Sequence, residues 1–368
     1  MAGTDQNGMP SPSESLAARM LQRPQWLSWL MVLGLAALVA LFAMSDAREL
    51  WRAARELDIR LLALPVLCSL LSYLAMARSY QDIARAAGYS VPFWDMLKVT
   101  LVANTANYLI TTGGLSGFAV RMYFFLRMNV PSGRAVTISL VQTFITNLIL
   151  LLFVLAGFFY LLRSHELQGF TLVTTATLSG VFTLATVVAV FLLIHHEVRR
   201  RTLFVLAELA HWVLHRIAPR FKPRRVRIWR FQRNLDRGIR FLLERKRHMI
   251  APILWIAVDW VATLCILYTS FLAVGYTIPA SFVVVGFAVG IVLSLVSFIP
   301  GGLGIMEGSM AAVFVGLGVS FEVAVIAVLI FRVAYYVLPL VISLFFFRSM
   351  LIQSTREVAE LDPVARLE

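Results

Sequence analysis

Residues 297–308 read SFIPGGLGIMEG and break an otherwise apolar region with Pro300, a run of glycines and Glu307. Hydrocarbon offers no partner to unpaired backbone groups, and a charge there costs about 2.5–3.5 kcal/mol on insertion scales. The chain around the break is of that kind. Its 368 residues are 60% hydrophobic and 14% charged, with a mean hydropathy of +0.80. A soluble protein of this size cannot hide so much apolar surface, so the composition predicts an all-α polytopic membrane protein. Apolar runs near 26–45, 61–80, 135–162, 171–194, 249–273 and 323–347 are each long enough for a core of about 30 Å. They predict six full transmembrane helices.

The first run reads as a signal anchor, because it is long and follows a polar tail that carries Arg19 and Arg23. Residues 1–25 read as a disordered cytoplasmic tail, rich in Gly, Ser and Pro. Cys68 and Cys265 fall inside predicted spans and read as packing residues.

The net charge of +13 is concentrated between His196 and His248, where sixteen Lys/Arg face four acids. The positive-inside rule puts this segment, 196–248, in the cytoplasm. Leu203, Leu206, Ala210, Val213, Leu214 and Ile217 recur at helical spacing, as do Ile228, Phe231, Leu235, Ile239 and Leu242. Amphipathic basic helices on an anionic leaflet fit both patterns. Transmembrane brackets on either side argue against a nucleic-acid partner. Alternation from this loop places both termini, including the tail 350–368, in the cytoplasm.

The break at 297–308 has a looser counterpart. Thr111-Thr112-Gly113-Gly114-Leu115-Ser116-Gly117 also interrupts an apolar region, at an offset of 301 − 113 = 188 residues. Each break lies between two short helical arms, about 96–126 and 282–318. Residues 305–318 span about 21 Å as helix, too little to cross the core, so each unit reads as a re-entrant helical hairpin. Three full spans separate them, and three is odd. The hairpins then enter from opposite faces, an inverted repeat of two membrane halves, 26–195 and 249–349.

Four ionisable residues fall within membrane-embedded segments: Glu307 just after the second break, Arg121 after the first, Asp259 and Arg332. Tyr335 and Tyr336 share a face with Arg332, and Thr100, Asn104, Asn107 and Thr111 form one stripe. Two readings stand open. In one, Glu307 compensates a helix dipole, Arg332 and Asp259 form buried ion pairs, between themselves or with Glu307 and Arg121, and the stripe bonds helix to helix. Alternatively they line a polar cavity at the hairpin tips, where arginines meet phosphate and acids meet a cationic headgroup or proton. Gly113, Gly114, Gly301 and Gly302 would then direct broken-helix dipoles at a substrate, while Gly113/Gly117 and Gly286/Gly290 read as close-packing pairs.

Enzyme chemistry finds no footing. No Asp-x-Asp pair is present, Pro131-Ser132-Gly133-Arg134 has Arg where a lipid phosphatase needs His, and no metal or cofactor motif or nucleotide loop stands out. The expectation is no enzyme and no cofactor.

Gly113-Gly114-Leu115-Ser116-Gly117-Phe118-Ala119-Val120-Arg121-Met122-Tyr123 and Pro300-Gly301-Gly302-Leu303-Gly304-Ile305-Met306-Glu307-Gly308 resemble the paired signatures of the lysylphosphatidylglycerol synthase transmembrane region. The likeness covers about residues 25–350. Many relatives carry an acid where Phe118 stands, whereas Arg121 matches their arginine. The resemblance implies a flippase-like protein of the bacterial inner membrane that moves a phospholipid, aminoacylated or otherwise anionic. With about 20 residues after the last span, no soluble synthase domain is expected. A non-transporting scaffold or lipid-binding subunit of a lipid or glycan assembly enzyme is the alternative, and an oligomer stays open.

Overall fold

The computed structural model describes residues 57–109, 115–163, 246–297 and 299–346, with position 55 and a scatter between 180 and 244. The expected spans 26–45 and 171–194, both tails, residues 110–114 and most of the basic segment lie outside the described residues.

Eight helices carry the described fold. They are α1 (Ala63–Ala86), α2 (Phe93–Leu109), α3 (Leu115–Arg127), α4 (Ser132–Arg163), α5 (Lys246–Ala273), α6 (Ala280–Ser297), α7 (Ile305–Gly316) and α8 (Phe321–Arg332). Helix α8 runs on through a π turn, Val333–Val337, to Phe346. Four helical stretches are long and apolar enough to span: Ala63–Ala86, Arg134–Gly157, Arg247–Ala273 and Phe321–Phe346. These are four of the six expected spans.

The burial pattern of α1 is that of a membrane helix. It presents Leu67, Leu70, Leu71 and Leu74 outward and buries Ser69, Ser72, Ser79 and Gln81. Small polar side chains let helices approach closely and bond across the contact, while lipid accepts the leucines. Helix α5 packs antiparallel along that inner face. The Ser72 hydroxyl donates to Asp259 Oδ1 at 2.5 Å, and the Ser79 hydroxyl reaches the Pro252 carbonyl at 3.1 Å and Gln142 Oε1 at 2.8 Å.

Helices α2 and α3 form an antiparallel hairpin. Asn107 Oδ1 accepts the Gly117 N–H at 2.7 Å, and the Ser116 hydroxyl donates to the Ala106 carbonyl at 3.0 Å. The first bond satisfies a backbone donor at the start of α3, which no earlier turn can serve, and the second covers a carbonyl near the end of α2. A Cβ on Gly117 would meet the Ala103 carbonyl and the Asn107 side chain at 2.5 Å. Helices α6 and α7 form the second hairpin, closed by glycines. A Cβ on Gly286 would run into the Phe314 ring and one on Gly290 into Met310. All four arms, 17, 13, 18 and 12 residues, are shorter than a core of about 30 Å at 1.5 Å per residue.

The two hairpins meet through their tips. The end of α2 packs against the Pro300–Gly302 turn, where a Cβ on Gly301 would lie 3.5 Å from the Tyr108 carbonyl. Phe271, Phe314, Phe287 and Phe331 fill the space between α5 and α8 with edge-on ring contacts, 4.8 Å between the first two centroids and 6.1 Å between the last two.

Adding side-chain volume between α6 and α7 should therefore loosen the second hairpin. Gly286→Val is expected to destabilise the purified protein by about 1–3 kcal/mol, read as a fall in melting temperature by intrinsic tryptophan fluorescence. Gly316→Ala, which meets open space, should leave it unchanged.

Candidate functional site

The second break is built by glycine. Gly301, Gly302 and Gly304 take φ of 60°, 63° and 78°, the left-handed region that residues with a Cβ rarely enter. The Gly302 N–H returns to the Ile299 carbonyl at 2.8 Å, and α7 starts with Gly308 N–H on the Gly304 carbonyl at 2.9 Å. The turn leaves carbonyls of Gly301 and Gly302 without a helical partner in a region where water is scarce.

Arg332 supplies that partner. Its Nη1 donates to the Gly301 carbonyl at 2.8 Å and its Nη2 to the Gly302 carbonyl at 3.1 Å. Nε lies 2.7 Å from Glu307 Oε1, with side chains 8% and 2% exposed. The Nε–H is not aligned with that oxygen, so the contact is an ion pair without a hydrogen bond. Glu307 sits in the first turn of α7, where the helix dipole also favours an acid. Its side chain reaches out to α8 and makes no cap. Glu307 Oε2 is buried and has no hydrogen-bond partner among the described residues.

Aromatic rings complete the tip contact. The Arg332 guanidinium lies 4.3 Å from the Tyr336 ring centroid, and the Tyr336 ring meets that of Tyr108 of α2 at a tilt of 59°, 4.5 Å between centroids. Tyr335 packs against Phe331, Tyr73 and Tyr108. The π turn starts immediately after Arg332. One extra residue in the turn resets the face of α8 at Tyr335 and Tyr336, a shift that no i, i+3 or i, i+4 count contains.

The expected site residues divide into three groups. Glu307, Arg332, Gly301, Gly302, Tyr335 and Tyr336 come together at the second tip. Arg121 and Asn104 form a separate pair in the first hairpin, Nη2 to Oδ1 at 2.9 Å, and Asn107 caps α3. Asp259 lies in the α1/α5 interface, where its carboxylate takes the Ser72 hydroxyl. The ion-pair reading is thus met by Arg332 with Glu307, while Asp259 has a neutral partner. Gly113 and Gly114 lie outside the described residues. Residues that the sequence did not single out are Tyr108, Tyr73 and Ser72, and only a buried partner for Asp259 and rings beside Arg332 pointed toward them.

The tip ledger predicts an ordering of variants. Arg332→Leu strips two carbonyls and a carboxylate at once, so it should cost more than Glu307→Leu; loss of one member of a buried pair typically costs about 3–5 kcal/mol. The double variant should be no worse than Arg332→Leu alone, because it removes the orphaned acid. Thermal unfolding of the three proteins in one detergent checks the order.

Comparison with known proteins agrees with this architecture. The chain is 22% identical over 331 residues to the inner membrane protein YbhN of Escherichia coli, covering 87% of this chain and 92% of that one. It is 36% identical over 85 residues to a UPF0104 membrane protein of Methanothermobacter thermautotrophicus, 23% of this chain and 24% of that protein. A phosphatidylglycerol lysyltransferase of Staphylococcus haemolyticus is 36% identical over 86 residues, 23% of this chain and 10% of the enzyme. The matched part thus spans about a quarter of the second relative and a tenth of the third. The family described as the lysylphosphatidylglycerol synthase TM region matches residues 28–343. This multi-pass membrane protein, whose second helical hairpin turns on glycines, belongs to that family.

Proposed function

We propose that the protein moves a phospholipid across the cytoplasmic membrane, with two re-entrant hairpins that enter from opposite faces and meet at mid-depth. The observation that carries this reading is the tip contact itself. The two hairpins, with α1 and α8, bring an ion pair, a carboxylate oxygen without a hydrogen bond among the described residues and four tyrosines to one place inside an apolar fold. Membrane proteins keep such groups in the core where substrate or ion passes.

The order of elements supports an inverted repeat. Helix α6 starts 280 − 93 = 187 residues after α2, and α7 starts 305 − 115 = 190 residues after α3. Helices α1 and α5, which lead into the two hairpins, pack antiparallel, as a two-fold axis in the membrane plane requires. Family membership supports lipid as the cargo, since the relatives include phosphatidylglycerol lysyltransferases. In this reading Arg121 meets the lipid phosphate, and Glu307 and Asp259 serve a cationic headgroup or a proton. Arg332 holds the tip that carries Glu307.

Reconstitution tests the reading. Proteoliposomes holding the full chain and a fluorescent phosphatidylglycerol should show inner-leaflet lipid becoming accessible to external dithionite. Glu307→Ala should slow this about tenfold, the effect of roughly 1.4 kcal/mol on the barrier. Absence of translocation for phosphatidylglycerol, lysyl-phosphatidylglycerol and phosphatidylethanolamine alike would overturn transport and favour a lipid-binding or scaffolding subunit.

A further inference from the structure

The two buried arginines of the described fold are in opposite electrostatic states. Arg332 is neutralised by Glu307 and gives two further donors to the Gly301 and Gly302 carbonyls. Arg121 is as deeply buried, 7% exposed against 6%, yet no carboxylate pairs with it among the described residues. A guanidinium carries five N–H donors. Asn104 Oδ1 takes one of them, on Nη2. Nε is buried with no partner. The face of Tyr80 lies against the guanidinium, 4.9 Å from Cζ to the ring centroid.

This state is costly for a resting side chain. A charge without a counter-ion and with idle donors is what burial in an apolar fold penalises most. The groups around it hold the guanidinium in place without neutralising it. Asn104 is itself fixed, with Nδ2 against Met76 Sδ at 2.8 Å, and Gly117, one turn before Arg121, closes α3 onto α2. The edge that carries Nε and Nη2 is the side-on edge with which a guanidinium grips a two-oxygen anion.

We propose that Arg121 is the anion-binding site of this protein, taking two oxygens of a phosphate-type oxyanion on its Nε/Nη2 edge, with Asn104 as the positioning residue and Tyr80 as the stacking surface. The source of the anion as a lipid headgroup rests on the transport reading; the site itself does not. The two hairpins then differ in task. One tip is a neutralised structural joint and the other arm holds a cation that waits for a counter-ion.

The test is binding by the purified full chain in neutral detergent, measured by microscale thermophoresis with three probes: dihexanoyl phosphatidylglycerol, dihexanoylglycerol and inorganic phosphate. Wild-type protein is expected to bind the phosphodiester lipid, and Arg121→Gln to weaken that binding about tenfold or more. Arg121→Lys, which keeps the charge and loses the fork, should fall between them. Dihexanoylglycerol should bind all three alike. Should Arg121→Gln not fold, Asn104→Ala takes its place, with a smaller loss expected for the phosphodiester only. Phosphate that competes with the lipid identifies a free-anion site, and lipid binding without competition identifies a headgroup site. Arg121-dependent phosphate binding with no lipid binding would keep the anion site and sink the lipid reading. Unchanged phosphodiester affinity in Arg121→Gln, or no binding of either anion by wild type, would overturn the proposal whatever the translocation assay gives.

Discussion

A helix that stops inside hydrocarbon must find partners for the carbonyls it abandons, and in this protein Arg332 provides them. Two N–H groups go to Gly301 and Gly302 and the Nε edge lies against Glu307. Each element of the site follows from that constraint. Glycine is needed because the turn runs through left-handed backbone. Arginine is needed because one planar side chain must serve two carbonyls and a carboxylate in different directions, which a lysine ammonium does poorly. An acid is needed because an unpaired guanidinium there would cost several kcal/mol. Glu307 is the acid whose position in the first turn of α7 also suits the helix dipole.

The first hairpin solves the same backbone problem with neutral groups. Asn107 receives the Gly117 N–H, and the Ser116 hydroxyl covers the Ala106 carbonyl. Arg121 bridges its two arms through Asn104 and has no carboxylate partner among the described residues. The two hairpins therefore have matching elements and unmatched chemistry. At the offset of 188 residues Arg121 falls opposite Ser309 and Glu307 opposite Ala119. Equivalent charges at equivalent positions would have made the two tips alike. Their difference sets the two hairpins apart in chemistry, though not in the order of their elements.

Much of this was legible in the sequence. Apolar length located the four described spans, and Gly and Pro clusters located the second break, because hydrophobicity and backbone freedom are local properties. The Glu307 position after the break was equally local. Partners were not. Arg332 lies 25 residues beyond Glu307 in the chain (332 − 307) and on another helix, and the sequence left Asp259 and Glu307 as equal candidates for it. What decides between them is the packing of α5 onto α1, which turns Asp259 toward the Ser72 hydroxyl. The π turn after Arg332 was also hidden, since it changes the period on which face counting depends. Of the stripe Thr100, Asn104, Asn107 and Thr111, the last lies outside the described residues and the other three serve three purposes: Thr100 bonds back to the Met96 carbonyl, Asn104 holds Arg121 and Asn107 caps α3.

The tip contact also constrains how the fold can move. Separating Arg332 from Gly301, Gly302 and Glu307 would leave two carbonyls and two charges unpaired in an apolar interior, each a cost of at least about 1–3 kcal/mol. The second tip and α8 therefore behave as one body. The contact of the α2 end with that body is cheaper to open, because Tyr108 meets Tyr336 through a tilted ring contact and Gly301 through van der Waals contact. A ring pair contributes about 0.5–1.5 kcal/mol beyond its area burial, and lipid tails can replace the area. Opening between the tips, with Arg332 and its turn moving together, is the low-cost path. That path parts the α2 end from Tyr336 while the ion pair that keeps the second break intact stays closed.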